Sequence, residues 1–203
     1  MEKLVVEIKN NNYKKVIKKT RKILNICDNE NKKLEIINNG KLITKDDNIE
    51  LYNIMHAINI KDKSKRYSFI YDTVCDYIDK KYLECNYCDF KDDVCVFFRN
   101  HPKIMHKDGC CYSDARGGLC ENLKNHRCQI KSISCKLYSC EYLRNKKVYF
   151  KIKDIPLLKY FFNLKQKYIL KYSFFKPKSY VMYKLVNVKY FCRFLVKINV
   201  GFW

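Results

Sequence analysis

Apolar residues recur at helical spacing over most of this chain and alternate only briefly. Val16, Thr20, Ile23 and Cys27 share one face, with Lys14, Lys15, Lys18, Lys19, Arg21 and Lys22 around the other. Tyr67, Ile70, Val74, Tyr77 and Ile78 mark the face of another helix, running to about Tyr82. Between them, Asp47 is a candidate cap for a helix containing Leu51, Ile54 and Met55. Beyond residue 150, Asp154 and Pro156 predict the start of a helix whose face is Leu157, Phe161, Leu164, Tyr168, Tyr172 and Phe175, ended by Pro177. Val181, Leu185, Val188, Cys192 and Leu195 continue the period after it, so the two stripes predict an antiparallel helix pair with Lys178, Lys184, Lys189, Arg193 and Lys197 in water.

Strand signals are few. Leu4 to Ile8 reads as a short strand or a helix start, followed by a turn at Asn10-Asn11-Asn12. Leu34 to Ile37, Asn38-Asn39-Gly40 and Leu42-Ile43 read as a β-hairpin with a primed turn. The expected fold is mainly α with a small β-hairpin, its helices set around a loop-rich, metal-organised centre. Three regions are expected: residues 1–83, helical with the hairpin; residues 84–145, cysteine-rich; and residues 146–203, aromatic, basic and helical. There is no repeat at solenoid period and no Pro- or Ser-rich linker.

Composition changes this picture at one place. Nine of the chain's 12 cysteines fall in the middle region: Cys85, Cys88, Cys95, Cys110, Cys111, Cys120, Cys128, Cys135 and Cys140. The N-terminus, Met1-Glu2-Lys3-Leu4-Val5-Val6-Glu7, lacks the basic and apolar segments of a secretion signal, so a reducing, cytoplasmic setting is expected. In that setting, thiols at this density are metal ligands, and zinc or an iron–sulfur cluster each takes about four. Cys85 and Cys88 have the spacing of a chelating knuckle. No second knuckle follows, which argues against an ordinary zinc ribbon. The adjacent Cys110 and Cys111 suit two neighbouring sites or a multi-iron cluster, with Gly109, Gly117 and Gly118 letting the backbone wrap closely. His101, His106 and His126 are secondary ligand candidates, and each also reads as a loop histidine. Cys27, Cys75 and Cys192 sit at apolar helical positions and read as core. An odd number of thiols in the cluster counts against a disulfide framework.

Gly109-Cys110-Cys111, Leu119-Cys120-Glu121-Asn122-Leu123, Arg127-Cys128-Gln129-Ile130 and Cys135 with Leu137-Tyr138 resemble the signature of the YkgJ-type family of zinc- or iron-chelating proteins. The likeness covers about a quarter of the chain. Two departures stand out. Ser132-Ile133-Ser134 takes the place of an Arg-Pro pair, and Cys95 lies further upstream of the cysteine pair than the family's usual cysteine. The chain is also similar to clostridial proteins in which such a cluster precedes a segment like Phe161-Phe162-Asn163, Gln166-Lys167 and Ser173-Phe174-Phe175. The resemblance implies metal binding and no particular reaction.

A net charge of +21 raises nucleic acid or an anionic membrane surface as a partner. Lysine greatly outnumbers arginine, and Asn, Ile, Tyr and Phe are abundant, as AT-rich codons would give. The charge by itself therefore reads as solvated lysines. There is no phosphate-cradling glycine loop, nucleophile elbow or zinc-protease motif. Asp92-Asp93 and Glu84 read as solvated acids. The sequence thus predicts a metal-binding protein, with a metal-stabilised nucleic-acid-binding module and an iron–sulfur redox or metal-dependent enzyme as alternatives. No uninterrupted apolar run is long enough for a membrane span.

Overall fold

The computed structural model describes residues 2–9, 11–91, 94–96, 112–113, 118–120 and 122–188. It is mainly helical, with one three-stranded sheet. Strand β1 (Lys3–Ile8) leads into helix α1 (Tyr13–Asn29), which crosses over to β2 (Lys33–Asn38), and β1 and β2 pair in parallel with Leu4 opposite Leu34. β3 (Lys41–Leu42) returns antiparallel to β2. Asn39 and Gly40, at φ 49° and 80°, make the primed turn expected there. The parallel pairing was not anticipated: Leu4 to Ile8 is a strand, and its partner is found across a whole helix.

Helices α2 (Ile49–Asn59) and α3 (Lys63–Cys85) follow. The stripe predicted for α1 is buried at Val16, Thr20, Ile23, Leu24 and Cys27. On α3 the inner face is Ile70, Tyr71, Val74, Cys75 and Ile78, while Tyr77 is exposed. Asp47 does not cap α2. Asn48 does, accepting from the Leu51 N–H at 2.9 Å, while Asp47 accepts from the N–H and hydroxyl of Thr44, each at 2.8 Å.

The middle of the chain holds short two-residue ribbons. β4 (Phe90–Lys91) pairs with β5 (Val94–Cys95), β6 (Tyr112–Ser113) with β7 (Gly118–Leu119), and β8 (Leu123–Lys124) with β9 (Arg127–Cys128), all antiparallel. Two five-residue helices follow, α4 (Ile133–Leu137) and α5 (Glu141–Asn145).

The single helix expected from Asp154 to Phe175 is two. After a 3-10 turn (Ile152–Asp154), α6 (Pro156–Phe161) is preceded by Ile155 as its cap residue, not Asp154. Asn163 then starts α7 (Leu164–Tyr172) through a capping box: its side chain accepts from the Gln166 N–H, and the Gln166 side chain accepts from the Asn163 N–H, both at 3.0 Å. This break rotates the stripe. Leu164 is 84% exposed, and Tyr168 and Tyr172 are also exposed, while Gln166, Ile169, Leu170 and Ser173 face inward. α8 (Lys178–Val186) packs on α3 and α7, with Val181 and Leu185 buried. Cys192, Leu195, Lys189, Arg193 and Lys197 lie outside the described residues.

One hydrophobic cluster joins these parts. It runs from Ile8 and the α1 stripe through Leu51, Ile54 and Ile70 to Leu158, Phe162, Leu170 and Leu185. The first and last regions of the sequence therefore share a core.

Candidate metal centre

Helix α3 carries the chain from that core to the cysteines. Cys85 is its last residue and is exposed. Asn86 caps the helix in the left-handed conformation, φ 43°, and turns the chain so that Cys88 follows half-buried. The hydrogen bond that Tyr87 makes with Cys85 pushes the phenol's pKa up. Asp89 is tied to α5, accepting from Lys146 Nζ at 2.5 Å and from the Tyr142 hydroxyl; the lysine holds its carboxyl below the usual range. Cys95 lies on β5 opposite Phe90.

Cys120 is buried just ahead of β8, and its sulfur accepts from the Asn122 amide at 3.7 Å. Hydrogen bonds of this kind stabilise sulfur as a ligand. Cys128 lies on β9 opposite Leu123. Between those strands Asn125 and His126 turn at φ 49° and 62°, and the exposed His126 ring stacks on Phe90 at 4.4 Å. This stacking joins the β4–β5 and β8–β9 ribbons. Cys135 is buried inside α4, and Cys140 heads α5, its carbonyl accepting from the Arg144 N–H.

The anchor of the region is α4. Ser132 caps it by accepting from the Cys135 N–H at 3.5 Å. Ile133 is fully buried and donates its N–H to the Tyr71 hydroxyl, and Ser134 donates to the Leu170 carbonyl at 2.7 Å. Lys136, 4% exposed, pairs with Asp79 and donates to the Cys128 carbonyl at 2.8 Å. The Ser132-Ile133-Ser134 departure thus has a physical role, docking the Cys135 helix against α3 and α7. Asp72, Asp76 and Asp79 follow at helical spacing on α3 and receive Lys178, Lys131 and Lys136. The sequence marked Ser132-Ile133-Ser134 only as a departure from a pattern, and did not single out Tyr71, Lys136 or this acidic row. The available signal was a serine three residues before Cys135, the spacing of a helix cap.

The three isolated cysteines divide as expected where they are described. Cys27 and Cys75 are fully buried members of the hydrophobic cluster. Burial pushes both thiols up, Cys75 to about 12. Of Cys85, Cys88, Cys95, Cys120, Cys128, Cys135 and Cys140, two are buried, Cys120 and Cys135, and neither belongs to that cluster. Cys110 and Cys111, with His101, His106, Gly109, Gly117, Glu121 and Asp92-Asp93, lie outside the described residues. Among the described residues, no three His, Cys, Asp or Glu side chains stand together in a group able to hold an ion. The described cysteines of the middle region are spread from the end of α3 along the ribbons to α4 and the start of α5. His56, exposed on α2, has its ring 4.6 Å from that of Phe69 and 6.4 Å from that of Tyr52. No helix among the described residues is long and apolar enough to cross a membrane.

No family model, no curated protein and no solved structure matches this chain.

Proposed function

We propose that this is a cytoplasmic metal-binding protein whose central cysteines hold zinc or an iron–sulfur cluster. The observation that carries the reading is the partition of the thiols. Cys27 and Cys75 lie inside the hydrophobic cluster, whereas Cys85, Cys88, Cys95, Cys120, Cys128, Cys135 and Cys140 lie outside it, on short ribbons, loops and helices. Thiols placed there add nothing to the main cluster, and their chemistry is that of soft-metal ligands. The likeness of the Cys110-to-Cys135 spacing to YkgJ-type clusters supports the same reading. Cys110 and Cys111 belong to the proposed ligand set on sequence grounds. When bound, the metal would supply a cross-link between segments that share little apolar surface.

Purification without oxygen, followed by elemental analysis and an absorption spectrum, tests this. Near-stoichiometric zinc or iron is expected. An iron–sulfur chromophore would open the redox reading, and a colourless zinc protein would favour a structural centre. Absence of both metals, with no binding in a titration, sinks the proposal. Position is tested in the same assay. Cys128→Ser is expected to lower metal loading, because a hydroxyl replaces a thiolate poorly, and Cys27→Ser to leave loading intact while weakening packing. The reverse result would mean that the ligands lie elsewhere.

A further inference from the structure

The carboxylates of this chain stop at Asp154. From Ile155 to Trp203 there is no Asp or Glu, while lysine and arginine continue. Within that segment α7 and α8 pack together and bury Ile169, Leu170, Val181 and Leu185 in the core. Much of what they leave outside is tyrosine and lysine. On α7, Tyr168 and Tyr172 are 49% and 50% exposed, with ring centroids 4.5 Å apart. On α8, Tyr180 and Tyr183 are 37% and 62% exposed. Lys171 stands over the Tyr172 ring at 5.0 Å, and Lys184 and Lys176 stand over Tyr180 at 4.5 and 5.6 Å. Lys178 and Lys167 are engaged, with Asp72 and the Lys159 carbonyl.

We propose that the exposed sides of α7 and α8 bind single-stranded nucleic acid, with tyrosine rings stacking on bases and lysines meeting phosphates. The net charge alone did not point here; the pairing of exposed rings with cations on two helices that themselves carry no acid does. Every base has a face that stacks on an aromatic ring, and cationic side chains beside the rings follow the backbone. A duplex is a poorer fit, because its bases are already stacked on one another. An anionic membrane is also a poorer fit. An interfacial helix presents an apolar stripe, and here the apolar stripes of both helices face the core, leaving Leu164 and Val186 as the exposed aliphatics. The inference does not depend on the metal reading.

The test is fluorescence anisotropy of the full chain with a labelled oligouridine and oligothymidine longer than about 16 nucleotides, the upper range of a single-strand site. A duplex of equal length and vesicles rich in phosphatidylserine are the comparisons. Single strands are expected to bind at least tenfold tighter than the duplex at the same salt, with affinity falling steeply as salt rises. Tyr168→Ala with Tyr172→Ala is expected to weaken binding about tenfold or more, while the Phe replacements keep it. Lys171→Gln with Lys176→Gln should flatten the salt dependence. These side chains are exposed, so circular dichroism and metal content should match the parent, which separates loss of this surface from loss of the cysteine region. Alanine variants that bind like the parent, equal affinity for duplex, or binding to vesicles without binding to either oligonucleotide would overturn the proposal.

Discussion

Asn59 fills, with one side chain, a place another strand would take. β3 reaches only the far end of β2, leaving the Leu34 backbone to be satisfied otherwise. The Asn59 amide does this in both directions, accepting from the Leu34 N–H at 2.7 Å and donating to its carbonyl at 2.9 Å. Asn59→Ala is expected to cost about 2 kcal/mol in urea denaturation, since it strands a donor and an acceptor beside the core. A loss below about 0.5 kcal/mol would mean that water replaces the amide readily. Cys75 makes a different kind of claim. Burial, aided by the carboxylates of Asp79, Asp72 and Asp76 and opposed by Lys136, lifts its thiol from 9.0 to about 12. The folded state therefore keeps a proton that the unfolded chain releases. That contribution is fully present below about pH 9 and is lost as pH rises toward 12, at about 1.4 kcal/mol per unit of separation. Tyr71, lifted from 10.0 to about 12 mainly by burial, adds to the fall above pH 10. Stability measured from pH 7 to 11 should decline more steeply in the parent than in Cys75→Ala. Parallel declines would show that the thiol is not held protonated.

Three of the described helices end against side chains brought from elsewhere in the chain. Lys61 donates to the carbonyls of Cys27 and Lys32 at the end of α1. Arg21 reaches from α1 to the carbonyls of Lys159, Tyr160 and Phe162 at the end of α6. Gln166 donates to the Leu185 carbonyl near the end of α8 and to the Tyr67 hydroxyl, while its oxygen closes the capping box of α7. The last carbonyls of a helix have no partner within it, so these contacts set where each helix stops. Gln166→Ala removes three hydrogen bonds at a 5% exposed position and is expected to cost about 3 kcal/mol, read as a lowered urea midpoint. Asn163→Ala should cost about 1 kcal/mol, because it loses only the cap. If both cost the same, Gln166 acts through the cap alone. These elements also separate what sequence can carry from what it cannot. The α1 and α3 faces were legible because their apolar residues repeat over several turns, and the hairpin was legible from Asn39-Gly40. The break at Asn163 was hidden by Leu164, Tyr168 and Tyr172, which continue the helical period while facing water. A tyrosine satisfies a periodic pattern and tolerates exposure, so it marks a face ambiguously. The parallel partner of β1 was not legible, because the two strands meet only after the α1 crossover.

At the scale of the whole molecule, one hydrophobic cluster links the N-terminal unit with α6, α7 and α8, and the cysteine region touches it chiefly through α4. The core placement of Cys27 and Cys75 was legible because helical spacing is a local property, and thiol density marks the proposed ligands in the same local way. How the nine cysteines are arranged relative to one another was not legible, since their order carries no pairing information. This unequal distribution of apolar surface has a consequence for metal removal. The ribbons are two residues per strand, too short to hold themselves, whereas α3 and α7 are fixed by Ile70, Val74, Ile169 and Leu170 in the core. If the proposed metal closes the ribbons, its binding free energy is folding free energy for that region alone. Treatment with a chelator should then speed amide hydrogen exchange at Phe90–Lys91, Leu123–Lys124 and Arg127–Cys128, while α1, α3 and α7 keep their protection. α4 should respond in an intermediate way, because Ile133, Ser134 and Lys136 still hold it to α3 and α7 when the cysteines are released. Unchanged exchange in the ribbons after verified metal loss would show that they stand without it. Loss of protection throughout the chain would show instead that the core and the cysteine region fold as one cooperative unit.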